Sequence, residues 1–230
     1  MCDLFPSELQ SLKLEIHNCL GAIGTEINDP KLAERHYSTV IESLGDPGQA
    51  LQSAEDGDRW AAAKNEMGIA HLMMGHTEEA KDTLDFSCGI SMVYRRSSHN
   101  ALSIYLLASA NLALAHWLDR EYDEAMTVLD AAWRMLALQS HAEENSFRSV
   151  LLLHLRLVSP RLTSRRPARL MYAMGNVKES QGLLDESFDW HEKALAHFKR
   201  TSGINHHRTA DVECRMALHY IRKKEFQNAQ

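Results

Sequence analysis

The chain is poor in the residues that interrupt helices. It has five prolines in 230 residues, set against abundant Ala, Leu, Met, Glu and Lys, and that balance favours helix over strand. Its four cysteines, Cys2, Cys19, Cys88 and Cys214, lie far apart with no CxxC pair. They read as reduced, part-buried thiols in a reducing, cytoplasmic compartment, and no flanking signature makes any of them a nucleophile. Excess charge is also lacking. Twenty-five Lys and Arg against 31 Asp and Glu leave a formal charge of −6, so nothing electrostatic favours nucleic acid or an anionic membrane. The start, MCDLFPSELQ, has no basic segment followed by an apolar run, so no secretory leader is legible.

Long apolar runs are scarce, with one exception. Ala101 to Leu118 carries no formal charge over 18 residues, the lower edge of a membrane-spanning helix. Ser103, Ser109, Asn111 and His116 interrupt it, so a buried helix of a soluble fold is expected and no membrane partner. Apolar residues at 44% suit a folded protein, and the length allows one elongated domain or two small compact ones.

Catalytic signatures are missing. There is no GxSxG, GxxxxGK[ST] or GxGxxG. The acidic pairs Glu78-Glu79, Asp123-Glu124 and Glu143-Glu144 suit the positive end of a helix better than acid–base work, which needs two environments across a cleft. No two of the thirteen histidines lie at i, i+4, so no HExxH-like pair exists. His71 and His116 read as core residues. No catalytic residue, metal site or cofactor is expected, and the chain does not read as an enzyme.

What the chain does have is a period. Four pieces, N-C-L-G at Asn18, N-E-M-G at Asn65, N-L-A at Asn111 and M-G-N at Met174, each set a small residue after a large apolar one in a helical pattern. Twelve residues after each small residue stands another. Gly21 leads to Ala33, Gly68 to Ala80, Ala113 to Ala125, Gly175 to Ser187 and Ala217 to Ala229. Two antiparallel helices joined by a short turn approach closely only where side chains are small, so each pair is read as the crossing of a helical hairpin. Turn signals fall between them at Gly75, Asp119-Arg120 and Gly182. Tyr37, Leu84, Leu129 and His191, then Val40, Ser87, Ala132 and Ala194, are the expected inward positions of the second helices.

The pattern resembles the tetratricopeptide repeat (TPR), a helix–turn–helix unit of about 34 residues in its minimal form. Over 168–229 it is similar to the longer repeats of kinesin light chains. There the second helix ends in an "EKAL"-like run, here Glu192 to Leu195. A "G-x-x-H-x-x-T-A"-like linker follows, here Gly203, His206, Thr209 and Ala210. The match is weaker over 14–140. The resemblance implies an all-α fold: a right-handed α-α superhelix, a TPR-like solenoid of helical hairpins. One array over 7–230 is expected, with approximate repeats 14–47, 61–93, 106–139 and 168–201 and a shortened one at 210–230. His206 would fix the angle between hairpins.

Two departures stand out. The step from Ala125 to Ser187 is about 20 residues longer than the last one, and the excess lies around 147–169, with six arginines and no acid. An inserted helix (147–158) with a basic loop over 147–167, a translated intron, a basic regulatory loop and a plain solvated connector all fit this run. The last repeat has its first helix and barely starts its second, and no polar cap is visible. A truncated product or a piece of a longer protein is the expectation there.

The resemblance also implies a function. In such arrays the first helices line the concave face, and asparagines there bond the backbone of a bound peptide. An amide both donates and accepts, as a peptide unit does. Asn18, Asn65 and Asn176 match best, with Asn111 one place off. The contact to inter-helix bonding is the alternative role. Ile69, Leu114 and Tyr172 complete the candidate partner-binding set; Ile69 and Leu114 belong to an apolar run, with Leu72, Met73, Trp117 and Leu118, that is either a groove for a hydrophobic peptide or covered by the 147–158 segment. No lysine sits beside these asparagines on the inner face, so the carboxylate clamp of chaperone-binding relatives is not met. The expected function is a non-catalytic scaffold binding a protein or peptide partner. The alternatives are a regulatory or sensor region of a larger signalling protein with a nucleotide-binding (NB-ARC-type) ATPase and, third, a small helical enzyme.

Overall fold

The structure, a computed structural model, describes residues 6–45, 53–98, 100–144 and 165–222. The described residues fold into helices joined by short connections, and no strand occurs among them. In order these are α1 (Pro6–Glu26), α2 (Pro30–Leu44), α3 (Ala54–Met74), α4 (Thr77–Tyr94), α5 (Ala101–Leu118), α6 (Tyr122–Glu144), α7 (Arg165–Ser180), α8 (Leu184–Thr201) and α9 (His207–Arg222). The all-α reading and its hairpin organisation are what the repeat pattern predicts.

The chain divides into two compact units, Met1–Asp119 and Arg120–Gln230. In the first, α1 packs on α2, α3 on α4, and α5 on both α3 and α4. In the second, α7 packs on α8, α8 on α9, and α6 on α7. The division falls inside the segment 106–139. Residues 145–164 and Ala229 lie outside the described residues, and so does most of the expected insertion. Its end differs from the expected basic loop. Helix α7 already begins at Arg165, because Pro167 falls in the first turn, where its missing N–H has no intrahelical partner to lose.

Why the hairpins turn where they do follows from backbone chemistry. Asn28, Gly75, Arg120 and Gly182 all have positive φ, between 59° and 79°, and each stands seven residues after Gly21, Gly68, Ala113 or Gly175. In three of them the following residue reaches back to close the helix. Asp29 N–H donates to the Gly24 carbonyl, His76 to His71 and Leu183 to Lys178, at 2.8–2.9 Å. This is the left-handed closure that satisfies the last carbonyls of a helix. The second helix then starts at once. In the first hairpin Asp29 caps it, accepting from Leu32 N–H at 3.0 Å, and Pro30 opens the first turn.

The inward positions expected of the second helices are all buried: Ala33, Tyr37 and Val40; Ala80, Leu84 and Ser87; Ala125, Leu129 and Ala132; Ser187, His191 and Ala194. The partner of each first-helix glycine differs from the simplest expectation. A Cβ there would first meet a large side chain rather than the small residue twelve places on. A Cβ on Gly21 would come within 2.7 Å of the Tyr37 ring, one on Gly68 within 2.5 Å of Leu84, and one on Gly175 within 2.3 Å of His191. The glycine therefore admits the large side chain sixteen residues on. The small residue at twelve lets the backbones close; in the first hairpin it is Gly24 that abuts the Ala33 backbone, 2.7 Å from a built Cβ.

The charge-free helix α5 is long and apolar enough to cross a membrane by composition. In this fold it packs on α3 and α4, with Ser103, Ser109 and Asn111 among its buried residues. Its buried polar atoms have partners, including Cys88 Sγ beside Ser109 Oγ at 3.6 Å.

Gly68→Ala is expected to destabilise the protein by about 1–3 kcal/mol, because the methyl group overpacks against Leu84. Gly89, helical and with nothing within 4 Å of a built Cβ, provides the control. There alanine should stabilise by up to about 1 kcal/mol through helix propensity. Urea denaturation of the two variants measures both; equal shifts would refute the packing role of Gly68.

Candidate functional site

The first helices α1, α3 and α5 belong to the first unit, and α7 and α9 to the second. The candidate residues sort differently in the two. Asn65 is 1% exposed and Asn111 is 4% exposed. The Asn111 amide donates to Asn65 Oδ1 at 2.8 Å, and Asn65 in turn donates to Glu66 Oε1 at 2.9 Å. These two amides tie α3 to α5 and face the protein interior. Asn18 is half-buried, as is Ile69, while Leu114 is 40% exposed. Ile69 stands one place after Gly68, and Leu114 one place after Ala113. Met73 and Leu118 stand five places after the same residues. Sequence equivalence therefore puts Ile69 and Met73 of α3 beside Leu114 and Leu118 of α5 on one face, and Leu118 is 46% exposed.

In the second unit Tyr172 and Asn176 are half-buried. Asn176 Oδ1 lies 3.1 Å from His191 Nε2, and the Tyr172 and His191 rings are 5.5 Å apart. Sequence spacing did not single out what lies next to them. His191 Nδ1 is 3.0 Å from His219 Nε2, and Ser187 Oγ is 3.2 Å from the same His219 nitrogen. The Ser187 hydroxyl donates to the Gly175 carbonyl at 2.7 Å. Beside them, Glu179 pairs with Arg215 at 3.5 Å and with Arg222. His191 and His219 are 28 residues apart on different helices, so only the fold brings them together. The one signal in the sequence is that His191 and Ser187 fill repeat positions held elsewhere by apolar or alanine side chains.

Burial holds His191 well below the ordinary imidazole value, at about 4. His219 and then Arg215 add to the depression, while Glu179 and a hydrogen bond to the Tyr172 backbone oppose it. The cause is desolvation of the charged ring. Cys88 shows the same effect with the opposite sign. Burial raises its thiol to about 11, too high for a thiolate nucleophile at neutral pH. Cys19 and Cys214 are exposed and free.

The linker S-G-I-N-H-H-R-T-A also acquires a definite role. Gly203 has φ +97° and follows the end of α8. The Thr209 hydroxyl donates back to the Gly203 carbonyl at 2.8 Å, and His206 Nδ1 accepts from Arg208 N–H at 3.2 Å. His206 and His207 stack at 4.3 Å. These bonds hold the corner between α8 and α9.

Two measurements follow. Asn65→Ala removes the acceptor of a buried amide and should lower stability by about 1–3 kcal/mol; a change within about 0.5 kcal/mol in denaturant would show that the α3–α5 amide pair is dispensable. Because His191 has a depressed pKa in the folded chain, its contribution is complete above the unfolded value of 6.5. It is lost as pH falls toward about 4, a loss of about 3 kcal/mol for a shift of this size. His191→Tyr should flatten that part of the stability–pH curve in metal-free buffer. An unchanged slope would place the acid sensitivity elsewhere.

Comparison with known proteins matches this geometry. The tetratricopeptide repeat family matches residues 166–230, and no curated protein matches the chain in sequence. Among solved structures, BtubC (BKLC) from P. vanneervenii is similar with a TM-score of 0.66 at 17% identity, covering 98% of this chain and 78% of its own. A Podosopora anserina protein with nearly identical TPR-like repeats of the kinesin light chain kind gives 0.58 at 20% identity, covering 99% and 92%. A Rap protein in complex with Competence and Sporulation Factor gives 0.65 at 15% identity, covering 95% of this chain, which spans about half (51%) of Rap. The sequence match to the tetratricopeptide repeat is confined to 166–230, and the solved structures show that the described chain shares the fold of helical-hairpin repeat proteins, those of the kinesin light chain kind among them.

Proposed function

We propose that the chain is a non-catalytic interaction scaffold that docks an extended peptide or partner protein on a face built by its first helices. The fold supports the coarser part of this reading, because arrays of helical hairpins present such faces. Rap, a structural neighbour, is solved with Competence and Sporulation Factor bound. The observation that carries the finer part is in the first unit. Leu114 and Leu118 are exposed on α5, at repeat positions equivalent to the half-buried Ile69 and Met73 of α3. Large apolar side chains at matched places on neighbouring helices make an anchor strip for the apolar side chains of a partner. The buried Asn65–Asn111 pair holds the two helices together beneath it. Polar recognition of the partner's backbone in this unit falls to the half-buried Asn18 on α1. The exposed free thiols of Cys19 and Cys214 fit a reducing cytoplasmic setting.

A random-peptide display library panned against the full chain tests this. Wild-type protein should enrich peptides with spaced apolar residues. Leu114→Glu with Leu118→Glu should weaken the selected peptides about tenfold or more, while the helical circular dichroism stays unchanged, as surface substitutions rarely alter stability by more than about 0.5 kcal/mol. If the wild type selects no peptide, or the double variant binds equally well, the strip is not a docking face.

A further inference from the structure

Two of the junctions between successive hairpins share one pattern, a large side chain with two alanines, and the last has a different one. Where the first hairpin meets α3, Ala33, Tyr37 and Ala70 form a buried cluster. The matching residues at the next junction are Ala80, Leu84 and Ala115, each 0% exposed. Where α8 meets α9, the matching residues are Ser187, His191 and His219, equally buried. Three polar side chains occupy places that the repeat fills elsewhere with apolar ones. Burying them costs free energy that packing does not return, and such local departures from the pattern of a fold mark functional positions.

The donor geometry identifies the ligand chemistry. His191 gives Nε2 to Asn176 Oδ1, which leaves its Nδ1 lone pair directed at His219 Nε2, 3.0 Å away. A second partner that fixes the tautomer in this way is the usual support of a metal-bound imidazole. Two nitrogens each about 2.0–2.1 Å from one tetrahedral ion stand roughly 3.3–3.4 Å apart, so a small opening of the pair admits an ion. A Glu179 carboxylate oxygen lies within 4.8 Å of one ring nitrogen of each histidine. The Glu179 side chain is only 10% exposed, and Arg215 and Arg222 hold its carboxylate, as ligating carboxylates are commonly held by outer partners. The same two cations oppose a bound ion and moderate its affinity.

We propose that His191 Nδ1, His219 Nε2 and Glu179 form a binding site for a divalent transition-metal ion of the zinc class, which pins α9 to the α7–α8 hairpin. Two imidazoles and one carboxylate suit Zn²⁺ and its neighbours Co²⁺ and Ni²⁺ rather than Mg²⁺ or Ca²⁺. Binding moves the His219 proton from Nε2 to Nδ1, because both facing nitrogens must offer lone pairs to the ion. The i, i+4 rule that excludes a one-helix zinc pair does not bear on this site, since its three ligands come from α7, α8 and α9.

The test uses the full chain and Zn²⁺ in competition with a colorimetric chelator, with Co²⁺ absorption as a second readout. The control is the triple variant Ser187→Ala, His191→Tyr, His219→Ala, which restores the Ala–Tyr–Ala junction of the first hairpin. Gly175 leaves the same room under His191 that Gly21 leaves under Tyr37, so this variant should fold. Wild type should bind one ion more than the triple variant, show tetrahedral Co²⁺ bands, and gain thermal stability with Zn²⁺ that the variant does not. Glu179→Gln, a substitution of the same shape, should weaken binding about tenfold or more. Equal zinc stoichiometry in wild type and triple variant, or Glu179→Gln binding as tightly as wild type, would overturn the site and assign the metal to surface histidines.

Discussion

Both units depend on one close approach, that of a helix backbone to a single large side chain from its hairpin partner. Gly21 lies under Tyr37, Gly68 under Leu84 and Gly175 under His191, and in each case a Cβ would intrude to 2.7 Å or less. This contact fixes the separation of the two helices and their rotation about their own axes. The residue seven places after the glycine turns left-handed in all three, as Arg120 does seven places after Ala113. The second helix must then bring Ala33, Ala80 or Ser187 against the first with its smallest side chain. Ile69 and Leu114 follow Gly68 and Ala113 by one residue, about 100° round the helix, so they stand to one side of the contact.

The parts of this fold that follow from steric periodicity were legible in the sequence. The twelve-residue offset, the turns at Gly75 and Gly182 and the inward positions of the second helices are local consequences of helix geometry. A chain of 3.6 residues per turn cannot hide them. The identity of the glycine's partner was not legible, because twelve and sixteen lie on the same helical face and only distance separates them. The asparagines show a different limit. Asn65 and Asn111 occupy places that differ by one, which in a linear comparison looks like a slip in a ladder. In space that slip turns the Asn111 amide onto Asn65 across α3 and α5. A shift of one residue rotates a helical side chain by about 100°, enough to move an amide from a groove into a helix–helix contact. The start of α7 at Arg165 escaped notice because a run of arginines with a proline reads as a connector, although proline is at home in a first turn.

The two buried networks of the molecule are built on different logic. In the first unit the amide pair is neutral at every ordinary pH, so its bond between α3 and α5 is permanent. In the second, the equivalent coupling of α8 to α9 runs through imidazoles. Each ring nitrogen can hold a proton or offer a lone pair, and the choice at one nitrogen dictates the other. Asn176 therefore does more for His191 than satisfy it. By taking Nε2 it decides which nitrogen faces His219, and it also places a candidate partner-binding residue in direct contact with the buried network.

That contact explains how polar groups entered a core position without disturbing the hairpin. An imidazole is planar, like the Tyr37 ring that fills the same place over Gly21, so it meets the steric demand of Gly175 while carrying two nitrogens. Ser187 is nearly as small as the alanine it replaces, and it hands its proton to the Gly175 carbonyl, turning its lone pairs toward His219. Only His219 adds bulk, against Ala70 and Ala115 at the matching places, and it does so on α9, the helix whose docking the network controls. Glu179, Arg215 and Arg222 then connect this interior to the surface. The network thus joins His191 and His219 to Asn176 on α7 and, through Glu179, α7 to Arg215 and Arg222 on α9.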